Sequence, residues 1–327
     1  FNRITGLTYD ENNQLFASVA YNPNPKLGFF YYNAGSDNFS LVSVVDGGSV
    51  QKPFTKSGIL YIPSPNFGGG GLLVYDYKNT PASTGDDRFK VLRKPNNLPA
   101  DGVVSATIDK NDDIWIGTRI GLRIISNPSS FISEENPQTS PIIIEENGLG
   151  EELFRDSNIL QIEVDGGNQK WVSIDGGGVF YLSSNGERTI RHFTKENSPL
   201  PTNNVTDIKV DNKTGKVYFV TSDGVMVYQG DVLEVNENFG EVLVYPNPVV
   251  YSKYKGNVSI RGLAEKTNIR ITDAAGNLVH QAVSRGGYYE WNLNNQRGVR
   301  VASGIYFLLM TNTDGTDTAT AKIAVVN

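Results

Sequence analysis

The chain has 327 residues, too many for one ordinary hydrophobic core, so two or more domains are expected. Its 29 basic and 35 acidic side chains leave a net charge of −6 without a basic stripe or acidic tail, which argues against a nucleic-acid or anionic-membrane surface. There is no cysteine, so disulfide scaffolds, thiolate zinc sites and cysteine nucleophiles are excluded, while 34 Gly and 16 Tyr favour short strands joined by tight turns.

In chain order, the first predicted unit is 4–19 (ITGLTYDENNQLFASV), two short strands around Asp10. A second, at 50–77, replaces its hairpin turn with the glycines at 68–71. Both are degenerate copies of a pattern that is clearest further on, at 103–125 (VVSATIDKNDDIWIGTRIGLRII), 159–182 (ILQIEVDGGNQKWVSIDGGGVFYL) and 205–228 (VTDIKVDNKTGKVYFVTSDGVMVY). Each clear copy has an apolar strand ending in Asp (Asp109, Asp165, Asp211) and a polar turn. A second strand with an aromatic residue follows (Trp115, Trp171, Tyr218), then a glycine (Gly121, Gly178, Gly224) that opens a third strand.

The anchoring aspartates lie 165 − 109 = 56 and 211 − 165 = 46 residues apart, near the roughly 40–50 residues of a four-stranded propeller blade, with about ten extra residues expected as a loop insertion. The pattern predicts an all-β fold with about five blades over residues 1–232. A central blade strand is covered on both faces, so it should read as a continuous apolar run such as Val217, Tyr218, Phe219, Val220. The aspartates should hydrogen-bond the backbone of the following turn, and the glycines should supply positive φ before the third strand. Asp109, Trp115, Ile116, Gly117, Thr118 and Gly121 together resemble the two-component-regulator type of propeller repeat, which implies a fold more firmly than a function. Phe1 opens in the middle of a strand-like pattern without an initiator Met or signal peptide. The sequence is therefore read as a mature piece or fragment, with blades expected ahead of it.

Residues 233–241 are polar, without apolar periodicity, and are expected to link the blades to a second domain at 242–327. There the strands change character: Val244 leads into Tyr245, Pro246, Asn247 and Pro248, followed by VSIRGL, NIRITDAAGNLV, YYEWNL, RVASGIYFLLM and a last strand at 320–326. Alternation at Ile269, Arg270, Ile271 and the turn residues Asp273, Gly276 and Asn277 predict hairpins of a small antiparallel β-sandwich. The motif residues Tyr245, Pro246, Asn247, Pro248, Trp291, Gly298, Ala302, Ser303, Gly304, Tyr306 and Lys322 resemble the type A C-terminal sorting domain of Bacteroidetes proteins handled by type IX secretion. Leu293 and Asn294 depart from that pattern, where the family often has Gly-Arg or Gly-Thr.

The combination of regulator-type blades and this domain resembles the PorZ-like components of the type IX surface attachment complex. That resemblance implies a non-catalytic protein on the outer face of the outer membrane. It further implies a protein that works with the sortase, its β-barrel shuttle and an associated barrel, and that helps supply anionic lipopolysaccharide; from the residues themselves, no cofactor or metal is expected. A secreted adhesin or glycan-active cargo with a cleavable sorting domain is the alternative. A ligand-sensing ectodomain, suggested by the blades alone, is disfavoured by the sorting-type segment, where a membrane helix should follow. The longest strongly apolar run, at 304–310, is far short of the roughly 20 residues that cross a bilayer as a helix.

Other chemistry is weaker. Asp109, Asn111 and Asp113 open like a calcium loop, but Ile114 and Ile120 stand where glycine and glutamate are required, so a β-turn is expected. The glycines at 68–71 and 176–178 lead into no helix that could hold a phosphate. His192 and His280, the two histidines, fall in different predicted domains. The glutamate pairs at 134–135, 145–146 and 151–152 are expected to be solvated inserts, and Tyr31, Tyr32, Tyr75, Tyr77, Tyr288 and Tyr289 to be strand packing.

Overall fold

The computed structural model describes residues 3–19, 26–66, 68–126, 128–146, 148–230, 235 and 238–327. Apart from two single-turn 3₁₀ segments, at Lys94–Asn96 and Pro128–Ser130, its regular structure is all β. The chain forms β-propeller blades followed by a small β-sandwich.

Sheet one holds β1 (Ile4–Tyr9), β2 (Leu15–Val19), β3 (Lys26–Asn33) and β4 (Asn38–Asp46), and sheet two holds β5 (Phe54–Lys56), β6 (Ile59–Ser64), β7 (Gly71–Asp76) and β8 (Arg88–Leu92), each in sequence order. Sheet three has three strands, β9 (Val103–Ile108), β10 (Ile114–Thr118) and β11 (Gly121–Ile125). In place of a fourth, a separate two-stranded hairpin follows, β12 (Ile143–Glu146) and β13 (Leu149–Glu152), joined to β11 by one bridge between Ile124 and Ser140. Sheet four is β14 (Ile159–Val164), β15 (Lys170–Ile174), β16 (Gly178–Leu182) and β17 (Thr189–Phe193); sheet five is β18 (Asp207–Asp211), β19 (Lys216–Thr221) and β20 (Gly224–Gln229).

Successive side chains on a strand point to opposite faces, and that alternation divides the strands β6, β7 and β10 between two cores. In β6, Leu60 and Ile62 join Phe16, Leu27, Phe29 and Tyr77. Their neighbour Tyr61 joins Ile114, Ile116 and Val103. In β7, Leu73 and Tyr75 go to the first core, Leu72 and Val74 to the second. A third core unites Trp115 and Leu122 with Ile159, Val172 and Leu182. This is why the central strands contain no polar alternation: β10 and β15 are buried at every position. Each fully buried Leu, Ile or Phe contributes roughly 1.5–3 kcal/mol relative to exposure.

Sheet five differs. In β19 the expected two-sided run alternates, with Val217 and Phe219 buried and Tyr218 and Val220 only half-buried. In β20, Val225 and Val227 are exposed. Their sheet packs a core on one face, and the apolar run overstated its burial. The insertion between Asp109 and Asp165, expected as a loop, instead contains the β12–β13 hairpin, which places Glu145, Glu151 and Glu152 on strands.

The sandwich has a three-stranded sheet, β21 (Leu243–Tyr245), β23 (Val258–Arg261) and β26 (Tyr288–Trp291). Its five-stranded partner is ordered β22 (Val249–Val250), β28 (Thr318–Val326), β27 (Gly304–Asn312), β24 (Lys266–Thr272) and β25 (Leu278–Arg285). All pairs are antiparallel except β22 with β28. Trp291, Ile260, Ile269, Ile271, Leu308 and Ile323 form its core, and β24 reads buried at every second residue, as a one-sided strand should.

Packing divides the chain into two compact units, Phe1–Glu163 with Lys170–Ile208 and Phe219–Met226, and Val164–Gln169 with Lys209–Tyr218 and Val227–Asn327. Most of the expected linker at 233–241 lies outside the described residues. Within the second unit, Phe239 packs on the sandwich core, its N–H donates to Asp317 Oδ2 at 2.9 Å, and Gly240 N–H donates to Gly262 O at 3.0 Å.

Candidate functional site

The repeat residues are built from the turns upward. Asp109 Oδ1 accepts the backbone N–H groups of Asn111 and Asp113 at 2.7 and 3.1 Å. Asp10 accepts those of Asn12 and Gln14, and Asp165 those of Gly167 and Gln169. Asp211 accepts from Lys213 at 3.0 Å and from the Thr214 hydroxyl at 2.6 Å, which holds its carboxyl below the usual carboxylate range. Gly121, Gly178 and Gly224 adopt φ of +143°, +78° and +132°. At Gly178 a Cβ would sit 2.1 Å from Phe193 O, so a side chain there would collide with the outer strand as well as strain the backbone.

At Asp109 and Asp10 the second carboxylate oxygen reaches the next blade, whereas Asp211 Oδ2 stays within its own turn on the Thr214 hydroxyl. Asp109 Oδ2 accepts from Trp115 Nε1 at 3.2 Å and pairs with Lys170 Nζ at 2.7 Å, from 61 residues on; Asp10 Oδ2 accepts from the Tyr77 hydroxyl at 2.7 Å. Lys170 is 0% exposed, donates also to Ser184 O, and lies 4.7 Å over the Trp115 ring. Sequence reasoning missed it, since a lone lysine ahead of Trp171 reads as a solvated strand end. Trp171 stacks on Tyr181 at 4.0 Å and meets Phe193 and Phe219, while Tyr218 is half-buried on β19.

The innermost strands enclose an axial cavity of about 470 Å³. Arg3, Gln51, Lys52, Gln161, Glu163 and Asp207 line it with Thr5, Ser105, Thr107 and Thr206, a mixed set of cations, anions, amides and hydroxyls. The Ser105 hydroxyl is buried without a hydrogen-bond partner among the described residues. This polar concavity offers donors and acceptors to a hydroxyl-rich ligand.

In the sandwich, Tyr245–Pro246 and Asn247–Pro248 are both cis. The Asn247 side chain imitates a strand: its Nδ2 donates to Lys322 O at 2.9 Å and its Oδ1 accepts from Ala324 N–H at 3.1 Å, pinning the first strand segment to β28. Val249 and Val250 then pair in parallel with Val325 and Val326. Trp291, fully buried, donates to Asn294 O at 2.9 Å and meets Tyr306 edge-on at 5.7 Å. Tyr306 donates to Ala302 O at 2.8 Å, Ser303 Oγ accepts from Asn327 N–H at 2.9 Å, and Gly304 begins β27. Gly298, with φ of +75°, closes the turn in which Asn295 Oδ1 accepts from Arg297 and Val299. At the departure from the family pattern, Leu293 is buried with φ of +60°. The motif residues are therefore spread along the sandwich, with Asn247 fastening the entry segment to β28 and Trp291 and Tyr306 in the core.

His192 bonds Gly177 O at 2.7 Å and stacks on Phe180, and His280 bonds the Tyr289 hydroxyl at 2.7 Å. Burial lowers the pKa of His280 and pushes Tyr289 up to about 12. Among the described residues no group of three His, Cys, Asp or Glu side chains gathers to hold a metal ion, and no helix is long and apolar enough to cross a membrane.

Residues 243–326 match the family described as the secretion system C-terminal sorting domain, so the sandwich is such a domain and the chain is a secretion-associated protein. Among curated proteins none matches the chain. Among solved structures, PorZ, an essential surface component of the type-IX secretion system of Porphyromonas gingivalis, superposes with a TM-score of 0.67 and 24% identity, covering 99% of this chain and 45% of PorZ. The chain thus spans less than half the length of that relative, and the likeness establishes the fold. An extracellular domain assigned to the hybrid two-component system BT3049 of B. thetaiotaomicron aligns at a TM-score of 0.48 and 16% identity over 99% of this chain and 40% of that one. The gluconolactonase XC5397 of Xanthomonas campestris gives 0.46 and 10% over 68% and 71%.

Proposed function

We propose that the chain is a non-catalytic component of the type IX attachment complex at the cell surface, scaffolding the sortase and its β-barrel partners and helping to supply anionic lipopolysaccharide for cargo anchoring. The observation that carries this reading is the union, in one chain, of regulator-like blades with a sorting domain, a combination that aligns with PorZ along nearly all of this chain's length. The axial cavity adds chemical support: Gln51, Gln161 and Thr107 suit sugar hydroxyls, and Arg3 and Lys52 suit an acidic substituent. We assign residues 1–232 to the blades, 233–241 to the connection and 242–327 to the sorting domain, with the motif residues of that domain acting as its closure.

The test is affinity purification of the tagged protein from detergent-solubilised outer membranes. Recovery of the sortase and its barrel partner in stoichiometric amounts is expected, and their absence would overturn the assignment. The sorting domain itself favours a second reading, a secreted cargo whose tail is removed. Mature surface protein cut between 234 and 241 supports that alternative, and an uncut chain supports the first.

A further inference from the structure

The β12–β13 hairpin stands apart from the blade sheets and belongs to neither the axial cavity nor the sorting domain. Among the described residues its two strands pair only with each other. Leu153 N–H donates to Ile142 O, so by the alternation of an antiparallel ladder the backbone groups of Gly150 face away from β12. Gly150 is exposed and carries no side chain to shield that edge, and Leu149, beside it, is 66% exposed. An unshielded edge of this kind is a template for another strand.

Beside the hairpin is an open groove of about 750 Å³. Its floor is apolar, made of Ile144, Leu153, Phe154 and Phe180, with the two phenylalanine rings edge-to-face at 4.9 Å. Phe154 holds φ of +57°, a left-handed conformation that bulky side chains rarely adopt. Glu145, Glu151 and Glu187 border the groove, and none of their carboxylates has a hydrogen bond or ion pair among the described residues. Glu152 is occupied by Arg123 at 3.2 Å, and Arg155 and Arg188 also border the site.

We propose that this hairpin captures an extended segment of a partner protein in which lysine or arginine alternates with aliphatic residues. The segment adds as a strand along Leu149–Glu152, its aliphatic side chains entering the groove and its cations meeting Glu145, Glu151 and Glu187. Main-chain pairing supplies affinity and the alternate side chains supply selectivity. The rim carboxylates make the association fast and salt-dependent.

The experiment uses the full chain and three fluorescein-labelled heptapeptides: one alternating Lys with Val and Leu, one with Glu in place of every Lys, and a basic one with N-methylated backbone amides that cannot donate to an edge. The basic peptide is expected to bind at least tenfold more tightly than the other two, by anisotropy. The exposed double variant Glu145→Lys, Glu151→Lys, checked for native circular dichroism, should lose at least tenfold. Amide exchange at Gly150 in the unsubstituted chain should slow when the basic peptide is bound. Equal binding of basic and acidic peptides, or an unchanged affinity in the double variant, overturns the proposal. So does a failure to bind at millimolar concentration, or unchanged exchange at Gly150.

Discussion

Lys170 and Asp109 form an ion pair whose two side chains are both buried, so neither charge has water to fall back on. Replacing one partner leaves an uncompensated buried charge, which costs about 3–5 kcal/mol, whereas replacing both with apolar residues of similar volume is near neutral. Lys170→Met and Asp109→Leu should each lower urea stability by at least that amount, and the double variant should lose less than the sum of the two, the turn and Trp115 bonds of Asp109 remaining uncompensated. A double variant that loses the full sum would show that the pair is not the unit. His280 gives a residue-scale pH effect. Its folded pKa lies below its ordinary 6.5 because burial disfavours the cation. The unfolded chain therefore binds the proton more readily. The associated stability is complete above the unfolded pKa and is lost as pH falls through the folded one. Chemical denaturation of the sorting domain between pH 7.5 and 5 should show this decline, and His280→Gln should flatten it.

At the scale of elements, strand triplets were legible because two-sided burial writes itself into the sequence: Tyr61 and Ile62 must both be apolar when each belongs to a different core. The anchoring turns were legible for a similar reason, since Asp109 reaches its own backbone within four residues. What could not be read depends on partners far away in the chain. Lys170 gains its meaning only from Asp109. The hairpin β12–β13 hides in a glutamate-rich stretch whose strand character comes from pairing, with Ile143 opposite Glu152. The axial cavity was invisible because Gln51, Thr107 and Gln161 are ordinary polar residues until five inner strands converge. In the sandwich, Asn247 shows the opposite case, a motif recognised by resemblance whose reason is geometric. Asn247→Ala removes both bonds to β28 and should cost about 1–3 kcal/mol. Faster amide exchange at Ala324, with little change at Ile269, is the expected signature.

For the whole molecule, the sandwich core draws its buried residues from Val249 to Val325 alone. A piece spanning 238–327 should therefore fold independently and melt cooperatively, with a dispersed amide spectrum. A collapsed spectrum without a thermal transition would mean that the sorting domain needs the blades to form. In such small domains the deletion of a buried aromatic is severe, so Trp291→Ala, costing about 3–5 kcal/mol, should abolish the transition of the piece.

The sharing of strands such as β6, β7 and β10 between two neighbouring cores sets a rule for how the blades tolerate change in length. Removing a single residue from the middle of β6 would send Leu60 and Ile62 to the side now filled by Tyr61, and the reverse, so two cores would be scrambled by one deletion. Growth at the rim carries no such penalty, as the extra hairpin after β11 demonstrates. Variation within this architecture should accordingly come as whole added blades or as outward loops, and almost never as a residue gained or lost inside a strand.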